Sequence, residues 1–546
     1  MAFHRVAAIG FAALFGRRSK VEATLPMLPF HLPVLATSGA ITDTGVDGGM
    51  AALDYAVLAA YLALVLGIGI YFLLRQTRPD EFFVGDRKMG SVTVGISVVA
   101  TDVGGGFSIG LGALGFLLGM SGSWLLFTGL IGAWLAAVLL IPRVKEIGHA
   151  KGWMTFPDFL AHRFDGRTRL MAAVVSGAGY AAFVGSQVVA GAALTHAAFG
   201  IDITTAVWVV AAVVLLYTAF GGLQAVIYTD TIQWIVLIAG LGLVAVPLAY
   251  SAVGGFSELR EAVPAGHLSF TSISPITFLA WMATIVPIWF VANTLYQRIY
   301  ATRDVKTAKR AWYFAGLLEW PVIALLAVSL GVFARALFPE MTSEQADLAL
   351  PRLIVEILPV GITGLVIAVY FAAIMSTADS CLLASVGNLV NDIYEKYLRR
   401  GASPKEVLWV GRILALCLGF LSVLIALYAE NVLSAIFLAY GFMAAGLFVP
   451  AIAGLLWKRA TAAGAFWSMT VGGGLTILIH IIDLNPFEAY DLGTSEASIL
   501  IALPVACAVM IGVSLLGEPP GMEEKAHMSQ EQSSTGPRPK TGTDED

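Results

Sequence analysis

The sequence is poor in charged residues, in cysteine and in clustered histidine. Only 13 % of its 546 residues are charged and 58 % are hydrophobic, whereas a soluble globular protein carries about 25 % charge. These proportions exclude a cytosolic enzyme of ordinary composition. The three cysteines stand singly in apolar stretches, so there is no disulfide framework and no CxxC metal motif. The sequence also lacks an HExxH motif and a GxxxxGK phosphate loop. Its basic residues are scattered over short loops, which argues against a nucleic-acid partner.

Long apolar runs take the place of those features. A helix that crosses a bilayer needs about 20 mostly apolar residues, and hydropathy windows of about 19 residues locate such runs along most of the chain. They predict an all-α polytopic membrane protein in one domain, residues 51–516. The thirteen predicted spans are 54–74, 91–118, 119–142, 170–198, 203–220, 226–250, 273–297, 312–338, 353–389, 408–428, 432–457, 462–482 and 497–516.

The distribution of basic residues predicts the orientation of these spans. With loops assigned alternately to the two sides, 25 of the 32 Lys and Arg residues fall on one side and three on the other. Because cytoplasmic loops are rich in Lys and Arg, the N-terminus is predicted outside and the C-terminus in the cytoplasm. We therefore expect a multi-pass protein of the cell membrane, plasma or inner, surrounded by the lipid bilayer.

The two ends of the chain have a different composition. Within residues 1–50, the apolar stretch Val6–Gly16 is too short to span a bilayer. It resembles the apolar region of a signal peptide, although no A-x-A cleavage site follows closely. The alternatives are a disordered extension or a start codon assigned too early, with Met50 opening the first span. The tail 517–546 is polar and is predicted to be disordered in the cytoplasm.

One span contains an acidic residue followed by three glycines. Asp102 precedes Gly104, Gly105 and Gly106, and each glycine costs about 1 kcal/mol in a helix interior. We therefore predict that the 91–118 helix is unwound within 100–106, where free carbonyls can coordinate a cation. Close helix packing through glycine is the alternative. An ionised Asp102 at this depth costs at least about 2.5–3.5 kcal/mol, so sodium, a proton or a cationic substrate group is expected to balance it. A helix-break cap satisfied by N–H groups is the other interpretation.

A second span carries a polar face. Residues 373, 376, 377 and 380 share one side of a helix, which offers the Ala373 carbonyl and the hydroxyls of Ser376, Thr377 and Ser380. Uncharged oxygens suit Na⁺, which must bind and also leave. Back-bonding of the hydroxyls to carbonyls one turn earlier is the alternative. Asp379 adds a carboxylate that is costly in a membrane unless it is paired.

A third polar stretch, GGLQAVIYTDTIQ at 221–233, contains Asp230 at the predicted cytoplasmic start of a span. Asp230 either caps that helix or lies where a cation leaves. Together with FFVGDRKMG at 82–90 and FAAIMSTADSCLLASVGNLVNDIY at 371–394, this stretch resembles the sodium/solute symporter family, which includes sodium-coupled proline, pantothenate, choline, sugar and sialic acid transporters. The resemblance covers about residues 52–516. It implies a leucine-transporter-type fold with a five-plus-five inverted repeat, with repeat one at 91–250 and repeat two at 273–457.

The resemblance implies a sodium site and leaves the solute open. The site consists of the carbonyls of Ala100, Val103 and Ala373 with the hydroxyls of Ser376 and Thr377. A possible second sodium site involves Ser376, Asp230, Asp379 and Ser380, and Asp102 falls where proline transporters have an aspartate linked to sodium. Choline transporters have tryptophans where this chain has Asp102 and Ala292, which argues against choline. Proline transporters have a tryptophan at the position of Gly106. The candidate substrate residues are Gly104, Gly105, Gly106, Phe107, Tyr180, Gln187, Asn293 and Tyr440.

The predicted function is therefore sodium-coupled symport of a small organic solute into the cell, such as proline or another amino acid, an organic acid or a vitamin. A proton-coupled symporter is the alternative, since Asp102 and Asp379 are also able to bind protons. A solute sensor on a transporter fold is another, although the tail is too short for a kinase domain. A passive channel would need symmetric rings or repeated filter sequences, and an enzyme would need a nucleophile arranged with a base. The sequence shows neither pattern, so both functions are disfavoured. No obligate protein partner is indicated.

Overall fold

The computed structural model describes residues 50–75, 87–218, 223–490 and 492–517. Apart from Met50 and Gly517, the predicted N-terminal extension 1–50 and tail 517–546 lie outside these ranges, as do residues 82–86 and the glycine pair at 221–222. The described residues are almost wholly helical, and one isolated bridge joins Met89 to Thr302. An α-helix satisfies all its backbone hydrogen bonds internally, as a membrane requires.

Twenty-two α-helices follow one another along the described chain. They are α1 Ala52–Arg75, α2 Ser91–Asp102, α3 Gly104–Leu118, α4 Trp124–Leu139, α5 Ile141–Lys151, α6 Phe156–Arg163, α7 Gly166–Phe199, α8 Ile203–Thr218, α9 Leu223–Ala239, α10 Val246–Val253, α11 Phe256–Ala262, α12 Pro275–Val291, α13 Asn293–Ala301, α14 Val305–Leu318, α15 Leu325–Leu337, α16 Ala346–Ile357, α17 Ile362–Leu389, α18 Pro404–Tyr428, α19 Val432–Met443, α20 Val449–Leu456, α21 Ala462–Ile481 and α22 Thr494–Leu516. Several of these helices are joined end to end by π-helical turns, at Gly240–Ala245, Glu319–Ala324, Val390–Leu398 and Ala444–Phe448.

Helices α7 and α17 form the centre of the molecule and pack against each other. In the most apolar 18-residue window of each helix, 83 % of the residues of α7 and 89 % of those of α17 are buried inside the protein. The corresponding share is only 28 % in α18 and in α22. The peripheral helices therefore present their apolar surface to lipid. The central pair carries small residues and hydroxyls that pack against neighbouring helices.

Among the described residues, two apolar helices are interrupted by a short break, one in each half of the chain. Helix α2 ends at Asp102 and α3 starts at Gly104. Helix α12 ends at Val291, Ala292 has extended backbone angles, and α13 continues at an angle of 44°. Broken helices that lie against intact ones are the usual site of ion and solute binding in transporters built from inverted repeats.

Helices α3 and α15 approach each other through glycine. A Cβ atom on Gly115 would lie 2.1 Å from the carbonyl oxygen of Val328, and one on Gly331 would lie 2.0 Å from that of Gly112. No real side chain tolerates such distances, so the two backbones touch directly. We call this contact the α3–α15 glycine seam.

The structure corrects two of the predicted boundaries. The predicted span 353–389 begins only at Ile362, because α16 is a separate helix that ends at Ile357. Arg298 is one of the 25 basic residues that the sequence analysis assigns to the cytoplasmic loops, but it lies fully buried in α13. Nine helical segments of the described residues are long and apolar enough to cross a membrane, or ten with the bent α12–α13 pair, so the count of thirteen spans stays a prediction.

Candidate functional site

The break between α2 and α3 rests on the middle of α17. Gly104 has a φ of +58°, a value that glycine adopts without strain, and its added Cβ would lie 2.6 Å from the Thr377 hydroxyl oxygen. A Cβ on Gly105 would lie 2.4 Å from Ile374. The glycines therefore break the helix and also allow it to contact α17. The interruption is narrower than the predicted 100–106, because α2 continues to Asp102 and α3 begins at Gly104.

The Thr377 hydroxyl joins the broken helix to the intact one. It lies 3.0 Å from the Ala100 carbonyl oxygen and 2.9 Å from that of Ala373. Val103, whose carbonyl accepts from the Phe107 N–H at 3.1 Å, is fully buried beside them. Four of the five predicted sodium ligands thus lie at the α2–α3 break and α17, as a group of uncharged oxygens shielded from water. Such oxygens match the preference of a weakly bound hard cation.

The fifth predicted ligand, Ser376, belongs to a buried network around Asp230. The hydroxyls of Ser376 and Ser97 both donate to the Asp230 carboxylate, the latter at 2.6 Å. Arg298 lies 3.5 Å from the same carboxylate, and the side chains of both residues are completely buried. Asp230 therefore has a protein counter-charge in this conformation, together with two hydroxyl donors.

Arg298 extends this network to the proposed second sodium residues. It also donates to Ser97 at 3.0 Å and to Ser380 at 3.4 Å. Asp379 is buried on α17 next to Ser380. The structure thus brings Ser376, Ser380 and Asp230 together, with the guanidinium group in contact with Ser380 and Asp230.

Asp102, the last residue of α2, contacts an aromatic side chain. The Tyr440 hydroxyl lies 3.3 Å from both its carboxylate and its backbone carbonyl. The ring of Tyr440 stacks on Phe183, with centroids 4.8 Å apart, and tilts against Phe107 at 5.9 Å. Gln187 accepts the Gly106 N–H at 3.0 Å. The structure therefore places Tyr440 against Asp102, Phe107 and Phe183 against the ring of Tyr440, and Gln187 against Gly106.

Two further predicted substrate residues bond elsewhere. The Tyr180 hydroxyl accepts the Thr294 N–H at 3.0 Å, at the start of α13. Asn293 accepts the Phe156 N–H at 2.8 Å and donates to the Ala384 carbonyl at 3.3 Å. Both side chains bond at the second break, and none of their hydrogen bonds within the described part of the chain is to Asp102.

Sequence reasoning missed two charged residues of this region, Arg298 and Glu319. Arg298 adjoins the predicted span 273–297, so a boundary short by a few residues placed it in a loop. Glu319 lies well inside the predicted span 312–338, fully buried. The rule that an ionisable residue within a span marks a functional site, applied above to Asp102, would have identified Glu319 as well.

Comparison with known proteins identifies relatives over most of the chain. The family model of the sodium:solute symporter family matches residues 82–472. The osmoregulated proline transporter of Bacillus subtilis (strain 168) is 32 % identical in an alignment that covers 78 % of this chain and 88 % of that protein. The human sodium/myo-inositol cotransporter 2 is 28 % identical in an alignment that covers 91 % of this chain and 81 % of that protein.

A solved structure shares the fold. It is that of a Na⁺-coupled sialic acid symporter in a substrate-bound outward-open state, with a TM-score of 0.70 and 23 % sequence identity. The alignment covers 86 % of this chain and 98 % of that one. This likeness confirms the predicted all-helical, leucine-transporter-type fold.

Proposed function

The chain belongs to the sodium:solute symporter family, and from that membership we propose that it imports an amino acid such as proline, or an organic acid or vitamin. Sodium-coupled symport of a small solute across a membrane is the activity of the family, and sodium is the coupling ion. The solute is our proposal. The similarity to the proline transporter supports it. The similarity to the sodium/myo-inositol cotransporter makes uncharged polyols the alternative to be tested.

The Thr377 bridge is the observation that carries the proposed sodium site. One hydroxyl contacts carbonyls of both the broken and the intact helix, so an ion bound there would hold the two helices together. Release of the ion would free α2–α3 to move relative to α17. We therefore propose Ala100, Val103, Ala373, Ser376 and Thr377 as the sodium ligands, with coupling transmitted through the distance between these helices.

A single ion supplies enough energy for concentrative uptake. Moving one charge through 100 mV yields about 2.3 kcal/mol, and a tenfold sodium gradient adds about 1.4 kcal/mol. Together these support a solute gradient of roughly several hundredfold. A second sodium at Asp230, Asp379 and Ser380 would have to compete with Arg298, which lies 3.5 Å from Asp230.

In the membrane we propose an external N-terminus and a cytoplasmic C-terminus, as the distribution of basic residues indicates. The inverted repeats would comprise 91–250 and 273–457, each beginning with one of the two broken helices. The protein would reside in the plasma or inner membrane. Nothing in this proposal requires a nucleic acid or an obligate protein partner.

The test uses Thr377→Val in the full chain, reconstituted in proteoliposomes. Valine preserves the shape of threonine and removes the hydroxyl, so we expect the sodium concentration for half-maximal uptake to rise about tenfold or more. Thr476→Val is the matched control. Thr476 is also fully buried and its hydroxyl also bonds to a carbonyl one turn earlier, at 3.0 Å, but it lies on α21 away from the break.

Uptake of labelled proline, a neutral polyol and an organic acid is measured with inward sodium or potassium gradients. Uptake that is equally fast with sodium and with potassium gradients would contradict the proposed function. Equal sodium midpoints in Thr377→Val and Thr476→Val would contradict the ligand assignment while leaving the function intact.

A further inference from the structure

The guanidinium group of Arg298 is surrounded by oxygen atoms from four helices, α2, α9, α17 and its own helix α13. Its Nε donates to the Ser97 hydroxyl at 3.0 Å, and its Nη1 donates to the Thr294 carbonyl at 3.2 Å. Its Nη2 donates to the Ser380 hydroxyl at 3.4 Å and lies 3.5 Å from the Asp230 carboxylate. Carboxylates, hydroxyls and carbonyls are also the oxygen ligands that bind small hard cations. The guanidinium group therefore lies where these oxygens would hold a metal ion.

The positive charge of Arg298 does not depend on conditions. Arginine stays protonated in proteins, and its side chain has N–H donors but no acceptor. Asp230 is fully buried, and the hydroxyls of Ser97 and Ser376 donate to it as well. The protein itself therefore balances the charge of this carboxylate. A sodium ion placed beside the guanidinium group would be repelled strongly in surroundings of low dielectric constant.

Hydrogen bonds fix the backbone of α13 on both sides of Arg298. The Thr294 N–H donates to the Tyr180 hydroxyl at 3.0 Å. Near the other end of the helix, the buried Lys145 ammonium group donates to the Tyr300 carbonyl at 2.9 Å. Displacement of the guanidinium group by an ion would also leave several N–H donors buried without acceptors, which is costly. Arg298 is therefore held among these oxygens as a fixed cation.

We propose that Arg298 permanently occupies the position of a second sodium ion and so limits the carrier to one sodium ion per transport cycle. This inference rests on the proposed function and specifies its ion stoichiometry. Ser376 connects the fixed cation to the proposed sodium site. Its hydroxyl gives its hydrogen to Asp230, so the lone pairs of the same oxygen stay available to an ion at the Thr377 bridge.

The experiment counts the sodium ions that bind to the purified full chain in detergent micelles. Equilibrium dialysis against radioactive sodium gives the number of ions per chain at saturation, with choline chloride keeping the total salt constant. Sodium is the only probe, so the result does not depend on the identity of the solute. We expect the wild type to bind one sodium ion per chain.

Arg298→Gln tests the fixed cation directly. Glutamine removes the positive charge and leaves a polar side chain, so that Asp230 keeps a charge that a sodium ion is able to balance. We expect this variant to bind two sodium ions per chain. Sodium should also raise its unfolding temperature by more than it raises that of the wild type, because an additional ion binds only the folded chain. Arg298→Lys retains the charge and should bind one ion.

Two further variants are controls. Asp230→Asn/Arg298→Gln removes the carboxylate together with the guanidinium group, and it should bind one ion. Arg352→Gln also removes an arginine from carboxylates, those of Glu340 at 2.7 Å and Glu356 at 2.6 Å. Because these two glutamates are exposed, water balances their charge, and this variant should bind one ion as well.

Two sodium ions in the wild type or in Arg298→Lys would overturn the proposal, because sodium would then bind despite the fixed cation. One ion in a folded Arg298→Gln variant would overturn it too, because Asp230 would then form no sodium site when it is freed. If Arg298→Gln does not fold, the counts in the wild type and in Arg298→Lys decide. Uptake independent of sodium would contradict the proposed function, whereas sodium-driven uptake with two bound ions would refute only this inference.

Discussion

Removal of one partner of the buried Asp230–Arg298 ion pair should destabilise the protein strongly. Both side chains are fully buried and lie 3.5 Å apart. Arg298 also donates to Ser97, to Ser380 and to the Thr294 carbonyl at 3.2 Å. Arg298→Met leaves a carboxylate without a counter-charge, and a lone buried charge of this kind costs about 3–5 kcal/mol. Asp230→Asn leaves the guanidinium unpaired at a similar cost.

The double variant Asp230→Asn/Arg298→Met separates this charge effect from ordinary hydrogen bonds. It loses the hydrogen bonds that Arg298 donates to uncharged acceptors, as the single variant Arg298→Met also does, but leaves no unpaired charge. We therefore expect it to be destabilised by about as much as one single variant, and not by the sum of both. The resulting coupling free energy should be about 3 kcal/mol, at the upper end of values for contacting residues.

Reversible unfolding in mixed micelles supplies the free energies for this double-mutant cycle. Arg352→Met is the control: Arg352 bonds to Glu340 and Glu356 at 2.7 and 2.6 Å, but its side chain is 25 % exposed. Partly exposed pairs contribute about 1 kcal/mol or less. Additive losses in the double variant, or an equal loss in Arg352→Met, would refute the reasoning.

Two other substitutions test features outside the site. Asp347 in α16 accepts the Val432 N–H at 2.8 Å, and burial raises the pKa of Asp347 from 3.8 to about 6. Since this pKa is higher in the folded than in the unfolded protein, the Asp347 contribution is complete below about pH 4 and is lost as the pH rises to about 6. Asp347→Asn should remove this pH dependence and stabilise the protein at pH 7 by about 2–3 kcal/mol. If the free energy of unfolding of the variant changes from pH 4 to 7 as that of the wild type does, the role assigned to Asp347 is wrong. Gly115→Ala should destabilise the protein by about 1–3 kcal/mol or more, because the added Cβ meets the Val328 carbonyl. Gly474→Ala on α21 is the control and should be neutral or stabilising, because nothing lies within 4 Å of the added atom. Equal thermal unfolding of the two variants would contradict the seam geometry.

The sequence predicted those features whose signal is local. The helix break was predictable because three glycines follow Asp102, and the Ser376–Thr377 pair because both hydroxyls lie on one helical face with Ala373. Long apolar runs likewise predicted the helical class and most of the helix positions.

Features that depend on contacts between distant segments were not predictable. The bond between Asp230 and Arg298 joins residues whose side chains meet only after α9 and α13 pack around α17. Glu319 was visible as an acid within a span, but its position against Gly129 of α4 depends on a contact between distant segments. A glycine count does not reveal that the break is confined to the junction of Asp102 and Gly104, or that Gly104 lies against Thr377.

The α3–α15 glycine seam has a consequence for the efficiency of the carrier. Where Gly112, Gly115 and Gly331 meet, backbone touches backbone, and no gap of the width of a water molecule can lie between them. A file of water along the flank of a broken helix would conduct ions without solute and dissipate the gradient on which uptake depends. By closing that route, the seam would keep water and ions from leaking along this flank of α3.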